Sequence, residues 1–108
     1  MPKNDKVSEL TKKEFNSFTA KGLVLVDFFA DWCMPCLMMA PVIDELSEKF
    51  KGKIKFAKMN IDENSALAQK YKIMSIPNFI LFQNGKPIDQ FIGAMSAEDF
   101  EDRLKKHL

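Results

Sequence analysis

Cys33 and Cys36 are the only cysteines in the 108-residue sequence, and only Met34 and Pro35 separate them. A thiol pair at this spacing can hold a metal, anchor a haem, or cycle between dithiol and disulfide. A structural zinc site needs four ligands, and the single histidine, His107, stands at the far end of the chain. Haem attachment needs a histidine directly after the second cysteine, where this chain has Leu37. A static cross-link over so short a loop would contribute only roughly 2 kcal/mol. Two cysteines merely buried in a core, and a copper(I) dithiolate with Met34 and Met38 as further soft ligands, stay open on residue types alone. The local context favours redox work, because an apolar strand runs into the pair and a helical pattern runs out of it. At the start of a helix, residues three apart share one face, so the two sulfurs can bridge with little adjustment. The earlier thiol meets unpaired N–H groups and the positive end of the helix dipole, which favour its thiolate. Pro35 in the first turn costs no helical hydrogen bond. The expectation is an activated, exposed Cys33 that attacks, a deeper Cys36 that resolves, and neither a metal nor a bound cofactor.

The elements that must position this pair follow from periodicity. Thr11 opens a first helix, with Glu14 at the reciprocal position of a capping box and Leu10 and Phe15 placed as a staple. Any strand before it is weak or absent. Leu23–Phe29 is apolar on both parities, as in a central parallel strand. Beyond the cysteines, Met39, Val42, Ile43, Leu46 and Phe50 repeat at helical spacing, so Pro41 should kink that helix rather than end it. Lys53–Met59 alternates as a strand, and Asn64–Tyr71 reads as a short helix. Asn78–Phe82 and Ile88–Ile92 read as strands joined through Asn84-Gly85, a hairpin signal. Ser96 begins the last helix, with Asp99 at its capping position and Phe100 and Leu104 on one face. The order predicts an α/β fold with a mixed sheet, in one domain spanning residues 1–108.

Several further residues have chemistry to offer. Asp27 lies within the apolar strand, where burial favours the neutral carboxyl. Lys58 shares the parity of Ile54 and Phe56 and so points inward, although a long stem could carry its charge back to the surface. Trp32 abuts Cys33 at an exposed turn and is placed to shield the sulfur. Gly93 suits a point of close backbone approach. Met34, Met38, Met74 and Ile76 would make an apolar, adaptable rim, whereas Met39 belongs to the helix core.

Bulk properties narrow the field. The composition is 46% hydrophobic and 29% charged, with 16 basic and 15 acidic residues for a net charge of +1. There is no basic excess to serve nucleic acid, and Lys49, Lys51, Lys53 and Lys55 read as a solvated turn. Met1–Lys6 is polar with no apolar leader, and no apolar run could span a bilayer. A cytoplasmic monomer with no membrane partner is expected.

The run Val26-Asp27-Phe28-Phe29-Ala30-Asp31-Trp32-Cys33-Met34-Pro35-Cys36, followed by Ala40-Pro41, closely resembles the thioredoxin active-site signature. The likeness continues through Ala57-Lys58-Met59-Asn60-Ile61-Asp62, Ile76-Pro77, Phe82-Gln83-Asn84-Gly85 and Gly93-Ala94, from about Val7 to Leu108. The resemblance implies the thioredoxin fold, a central mixed β-sheet flanked by helices on both faces. It also implies reduction of protein disulfides fed by NADPH or ferredoxin, with disulfide-containing target proteins and a thioredoxin reductase as partners. It makes Asp27 the proton shuttle for Cys36 and places Lys58 near that carboxyl to tune it. Pro77 would be a cis proline beside the cysteines, where it would crowd a metal. Trp32, Met34, Pro35, Met74, Ile76, Pro77 and Gly93 would form the substrate-binding rim. Two positions depart from the pattern: Met34 replaces the usual Gly, and Leu37 replaces the usual Lys or Arg. Some relatives serve only as redox-indifferent subunits of larger assemblies, and the sequence leaves that alternative open.

Overall fold

The computed structural model describes residues 7–108. The polar segment 1–6, the start of the expected domain, lies outside the described residues. The elements run β1 (Ser8–Glu9), α1 (Lys12–Thr19), β2 (Leu23–Phe29), α2 (Met34–Lys49), β3 (Ile54–Asn60), α3 (Ser65–Lys70), β4 (Asn78–Gln83), β5 (Lys86–Ile92) and α4 (Ala97–Lys105). Predicted and observed boundaries agree to within about two residues. The first strand, expected weak or absent, is two residues long.

The local signals act as expected. The Glu14 carboxylate accepts hydrogen bonds from the Thr11 backbone N–H at 2.9 Å and from its hydroxyl at 3.0 Å. Leu10 and Phe15 are both buried in one cluster, as a hydrophobic staple requires. Helix α2 runs on through Pro41. Ser96 caps α4, its hydroxyl accepting the Asp99 N–H at 3.1 Å. In the β4–β5 hairpin, Asn84 and Gly85 have φ of 51° and 86°, the left-handed pair that a tight two-residue turn requires.

The five strands form one sheet in the order β1-β3-β2-β4-β5. β1, β3 and β2 are parallel, and β4 and β5 are added antiparallel. β2 is therefore central, covered on both faces, which explains its unbroken apolar run. Leu25 looks toward α2 and α4, packing with Met39, Ile43, Leu46, Phe100 and Leu104. Val24, Val26 and Phe28 look the other way, toward Phe15 and Phe18 of α1 and Leu67 of α3. Helices thus lie on both faces of a mixed sheet. β5 forms an edge, which is where Pro87 can sit without removing a needed ladder donor.

Register brings one end of this sheet together. Phe28, near the carboxyl end of β2, stands opposite Asn78 at the start of β4, and Asn78 stands opposite Ile92 at the end of β5. The segments that leave this end are the Cys33 turn, Ile76-Pro77 and Gly93.

Candidate active site

Cys33 is the N-cap of α2 and Cys36 lies in its first turn. The two are joined by a disulfide, with Cα atoms 5.2 Å apart. The Cys36 backbone N–H donates to the Cys33 sulfur at 3.2 Å. A sulfur at an N-cap occupies the place where a helix normally recruits an oxygen, so the first-turn N–H groups and dipole stabilise negative charge on it. Pro35 stands within that turn, where its missing donor is not needed.

One expectation is corrected here. Cys33 is not exposed: it keeps 4% of its surface and Cys36 keeps 2%. The chain turns back at this point, with the Cys33 N–H bonded to the Ala30 carbonyl at 3.2 Å. The bridged sulfurs settle among Phe29 and Ala30, with Ile76 packed against them. Exposure belongs instead to the neighbours: Asp31, Trp32, Met34 and Pro35 all face solvent.

Asp27 and Lys58 are register partners on β2 and β3. Both are buried, at 5% and 6% exposure, so Lys58 does not carry its charge out to the surface. Burial raises the Asp27 carboxyl to about 7, with the Lys58 charge pulling it partly back. Asp27 Oδ1 has no hydrogen-bond partner among the described residues. The face it points to follows from alternation: it shares the parity of Leu25, which packs under Met39 and Ile43 of α2. Cys36 lies on that same buried stripe of α2, one turn before Met39 and Ala40. A titrating carboxyl is therefore built into the floor beneath the first turn of α2. The Lys58 ammonium lies 5.6 Å from the centre of the Phe29 ring.

The rim is apolar. Trp32, Met34, Met38 and Met74 are all strongly exposed, Met74 at 92%. Met38 thus belongs to the surface and Met39 to the core. Trp32 is not core filler: its indole N–H donates to Asp62 Oδ2 at 2.9 Å, which fixes the ring's edge while its face stays in solvent. Ile76 and Pro77 are joined by a cis peptide bond, as the resemblance implied. The Gly93 N–H donates to the Pro77 carbonyl at 2.8 Å, tying two parts of the rim together. Gly93 has φ of +93° and open space where a side chain would stand. That conformation favours glycine.

Asp62 and Glu9 carry no sequence signal that marks them for this site. Asp62 ends the run Ala57–Asp62, but nothing in its type says that it holds Trp32; the link spans thirty positions. Glu9 depends on the register of a two-residue strand, which no periodicity reveals. Among the described residues, no group of three or more His, Cys, Asp or Glu side chains could hold a metal, and no helix is long and apolar enough to cross a membrane.

Comparison with known proteins agrees with this geometry. The Thioredoxin family model matches residues 6–106. The chain is 42% identical over 102 residues to proteins named thioredoxin from Staphylococcus aureus strains Mu50, MW2 and N315, a match spanning 94% of this chain and 98% of each of theirs.

Proposed function

This chain belongs to the thioredoxin family, and from that premise we propose how its residues divide the work of reducing a protein disulfide. The overall activity is that of the family: a disulfide oxidoreductase exchanging electrons with target proteins through Cys33 and Cys36, and recharged by a reductase. The observation that carries it is the Cys33–Cys36 bridge, set from the N-cap into the first turn of α2 at the carboxyl end of the central strand.

In the reduced protein the Cys33 thiolate attacks one sulfur of a target disulfide. A Cys33–target bond forms, and the other target sulfur leaves as a thiolate that takes up a proton. The Asp27 carboxylate accepts the proton of Cys36, either directly or through a water. The Cys36 thiolate then attacks Cys33, closing the intramolecular bridge and releasing the second target sulfur. Two electrons have passed to the target. Support for Cys33 as the attacking sulfur is its N-cap position, and for Asp27 as proton acceptor its burial and raised pKa, which set it to titrate near neutrality. Lys58 tunes that carboxyl by its charge.

Trp32, Met34, Pro35, Met74, Ile76, Pro77 and Gly93 receive the target. The apolar side chains exclude water from the exchanging sulfurs, and the open side of Gly93 lets the target backbone lie close. The thioredoxin reductase that recharges the bridge docks on the same surface and draws on NADPH or ferredoxin. We read residues 1–108 as a single domain acting as a monomer in the reducing interior of the cell, where such a carrier has electrons to draw on and dithiols persist.

Reduction of insulin, coupled through a thioredoxin reductase to NADPH oxidation, tests the reading. Parent protein should turn over insulin disulfides, and a Cys33→Ser/Cys36→Ser double variant should not. Equal activity of the double variant, or no reduction by parent protein even when dithiothreitol replaces the reductase, would contradict it.

A further inference from the structure

Glu9, Lys58 and Asp27 form one row across three strands. Glu9 is the register partner of Lys58 in the β1–β3 pair, and Lys58 is the partner of Asp27 in the β3–β2 pair. Strand alternation decides where these side chains point. Val7, Phe56 and Leu25 stand two residues earlier along the same three stretches of chain, and all three belong to the core beneath α2 and α4. Glu9, Lys58 and Asp27 therefore face the side of the sheet on which α2 carries Cys36. The row grades from Asp27 and Lys58, both buried, to Glu9, which is exposed at the outer strand. Neighbouring strands lie about 4.8 Å apart, so Glu9 is roughly 10 Å from Asp27 with the lysine stem between them.

We infer that Glu9 is a positioning residue for the reaction: its carboxylate stands in register with the Lys58–Asp27 pair from the next strand, and its charge helps to set the pH at which Asp27 releases its proton. The inference rests on Asp27 being the proton acceptor for Cys36. Among the described residues, the groups in this neighbourhood include Lys58 from β3, Glu9 from β1, Lys12 and Lys13 from α1 beside Glu9, Asp31 from the turn before Cys33, Glu63 from the turn after β3, and Cys33 and Cys36 at the start of α2. Partial burial raises the Glu9 carboxyl, Lys58 lowers it, and Glu63 and Asp31 raise it. The same Lys58 charge acts on Asp27. A negative charge at Glu9 thus acts twice. It repels the Asp27 carboxylate directly and attracts the ammonium on its flexible Lys58 stem, and both keep Asp27 protonated to higher pH.

The test follows the Asp27 carboxyl carbon by NMR across pH in the disulfide form, where the thiols do not titrate. Glu9→Gln should lower the Asp27 midpoint by about 0.3–0.5 pH units, the size expected of one partly screened charge at this separation. Glu9→Lys should lower it by about twice as much. Because Glu9 is exposed, both variants should fold. In a Lys58→Met background the Glu9→Gln shift should shrink, and an equal shift in both backgrounds would overturn the route through Lys58. Midpoints unmoved in both Glu9 variants would overturn the inference outright. The pH profile of turnover separates this from the reading it rests on. If the NMR midpoint moves while the kinetic profile does not, Glu9 still controls Asp27, and it is Asp27's part in catalysis that fails.

Discussion

Asp27 and Lys58 sit opposite each other on adjacent parallel strands, buried in the middle of the sheet, yet the carboxyl is raised rather than lowered. An opposite charge next door ordinarily depresses a carboxyl. Here burial is the larger effect and the ammonium only moderates it. The result is a carboxyl poised at about 7, able to exchange a proton near neutrality.

The energetic sign follows directly. An unfolded Asp27 ionises near pH 4, while the folded one holds its proton to about 7. Between those values the folded state binds more protons, so Asp27's contribution to stability falls as pH rises, and the cost is complete above about 7. Asp27→Asn should therefore be nearly neutral below pH 4 and stabilising by a few kcal/mol, in order of magnitude, at pH 8. Urea melts at the two pH values check this. The same variant should slow turnover and lose the rate rise centred near pH 7; an unchanged profile would remove Asp27 from the mechanism.

Lys58→Met keeps most of the stem and removes the charge. With its moderating cation gone, Asp27 should titrate higher, by about 0.5–1 unit. The acid limb of the turnover profile should move up by the same amount. A downward shift would show that Lys58 does not act on Asp27 by its charge.

At the opposite margin of the sheet, Asp89 of β5 accepts two bonds from Arg103, at 2.8 and 3.1 Å, and lies 3.0 Å from His107 Nε2. Its carboxyl is lowered to about 2, chiefly by the Arg103 hydrogen bonds. A depressed folded pKa gives stability that is present above about pH 4 and lost as pH falls toward 2. Solvent screens part of this, so Asp89→Asn should cost about 1 kcal/mol at pH 7 and nothing below pH 2. Redox activity should be untouched, since α4 and β5 meet here away from Cys33.

The sequence departs from the family pattern at Met34 and Leu37, which bears on redox poise. Met34-Pro35 brings no side-chain donor or charge to the Cys33 thiolate, and Leu37 removes a cation, although an exposed one is worth little. Both changes make the dithiol less stable. Equilibration against glutathione and dithiothreitol buffers should place the midpoint in the reducing half of the span from about −270 to about −120 mV covered by related Cys-x-x-Cys proteins. A midpoint at the oxidising end would mean that Met34 stabilises the Cys33 thiolate after all.

Much of this was legible in the chain. The apolar run of β2, the alternation of β3, the Asn84-Gly85 turn and the caps at Thr11 and Ser96 are local signals, and the structure uses each of them locally. Asp27 stood out because a carboxylate in an apolar strand has to be explained. The burial of Cys33 is not legible in the chain, because position at a helix start says nothing of what folds over it, and here Phe29, Ala30 and Ile76 do. The bond from Trp32 to Asp62 and the row from Glu9 to Asp27 depend on strand register and on turns distant in sequence, and neither leaves a periodic trace.

Trapping of target proteins separates the attacking cysteine from the resolving one. Cys36→Ser and Cys33→Ser variants, each reduced and then mixed with a disulfide-bearing protein, should differ sharply when mixed disulfides are counted by non-reducing electrophoresis and located by mass spectrometry. Abundant adducts through Cys33 are expected in the Cys36→Ser variant, because attack proceeds and resolution cannot, and almost none in the Cys33→Ser variant. Equal trapping by both, or adducts chiefly through Cys36, would contradict that assignment of roles.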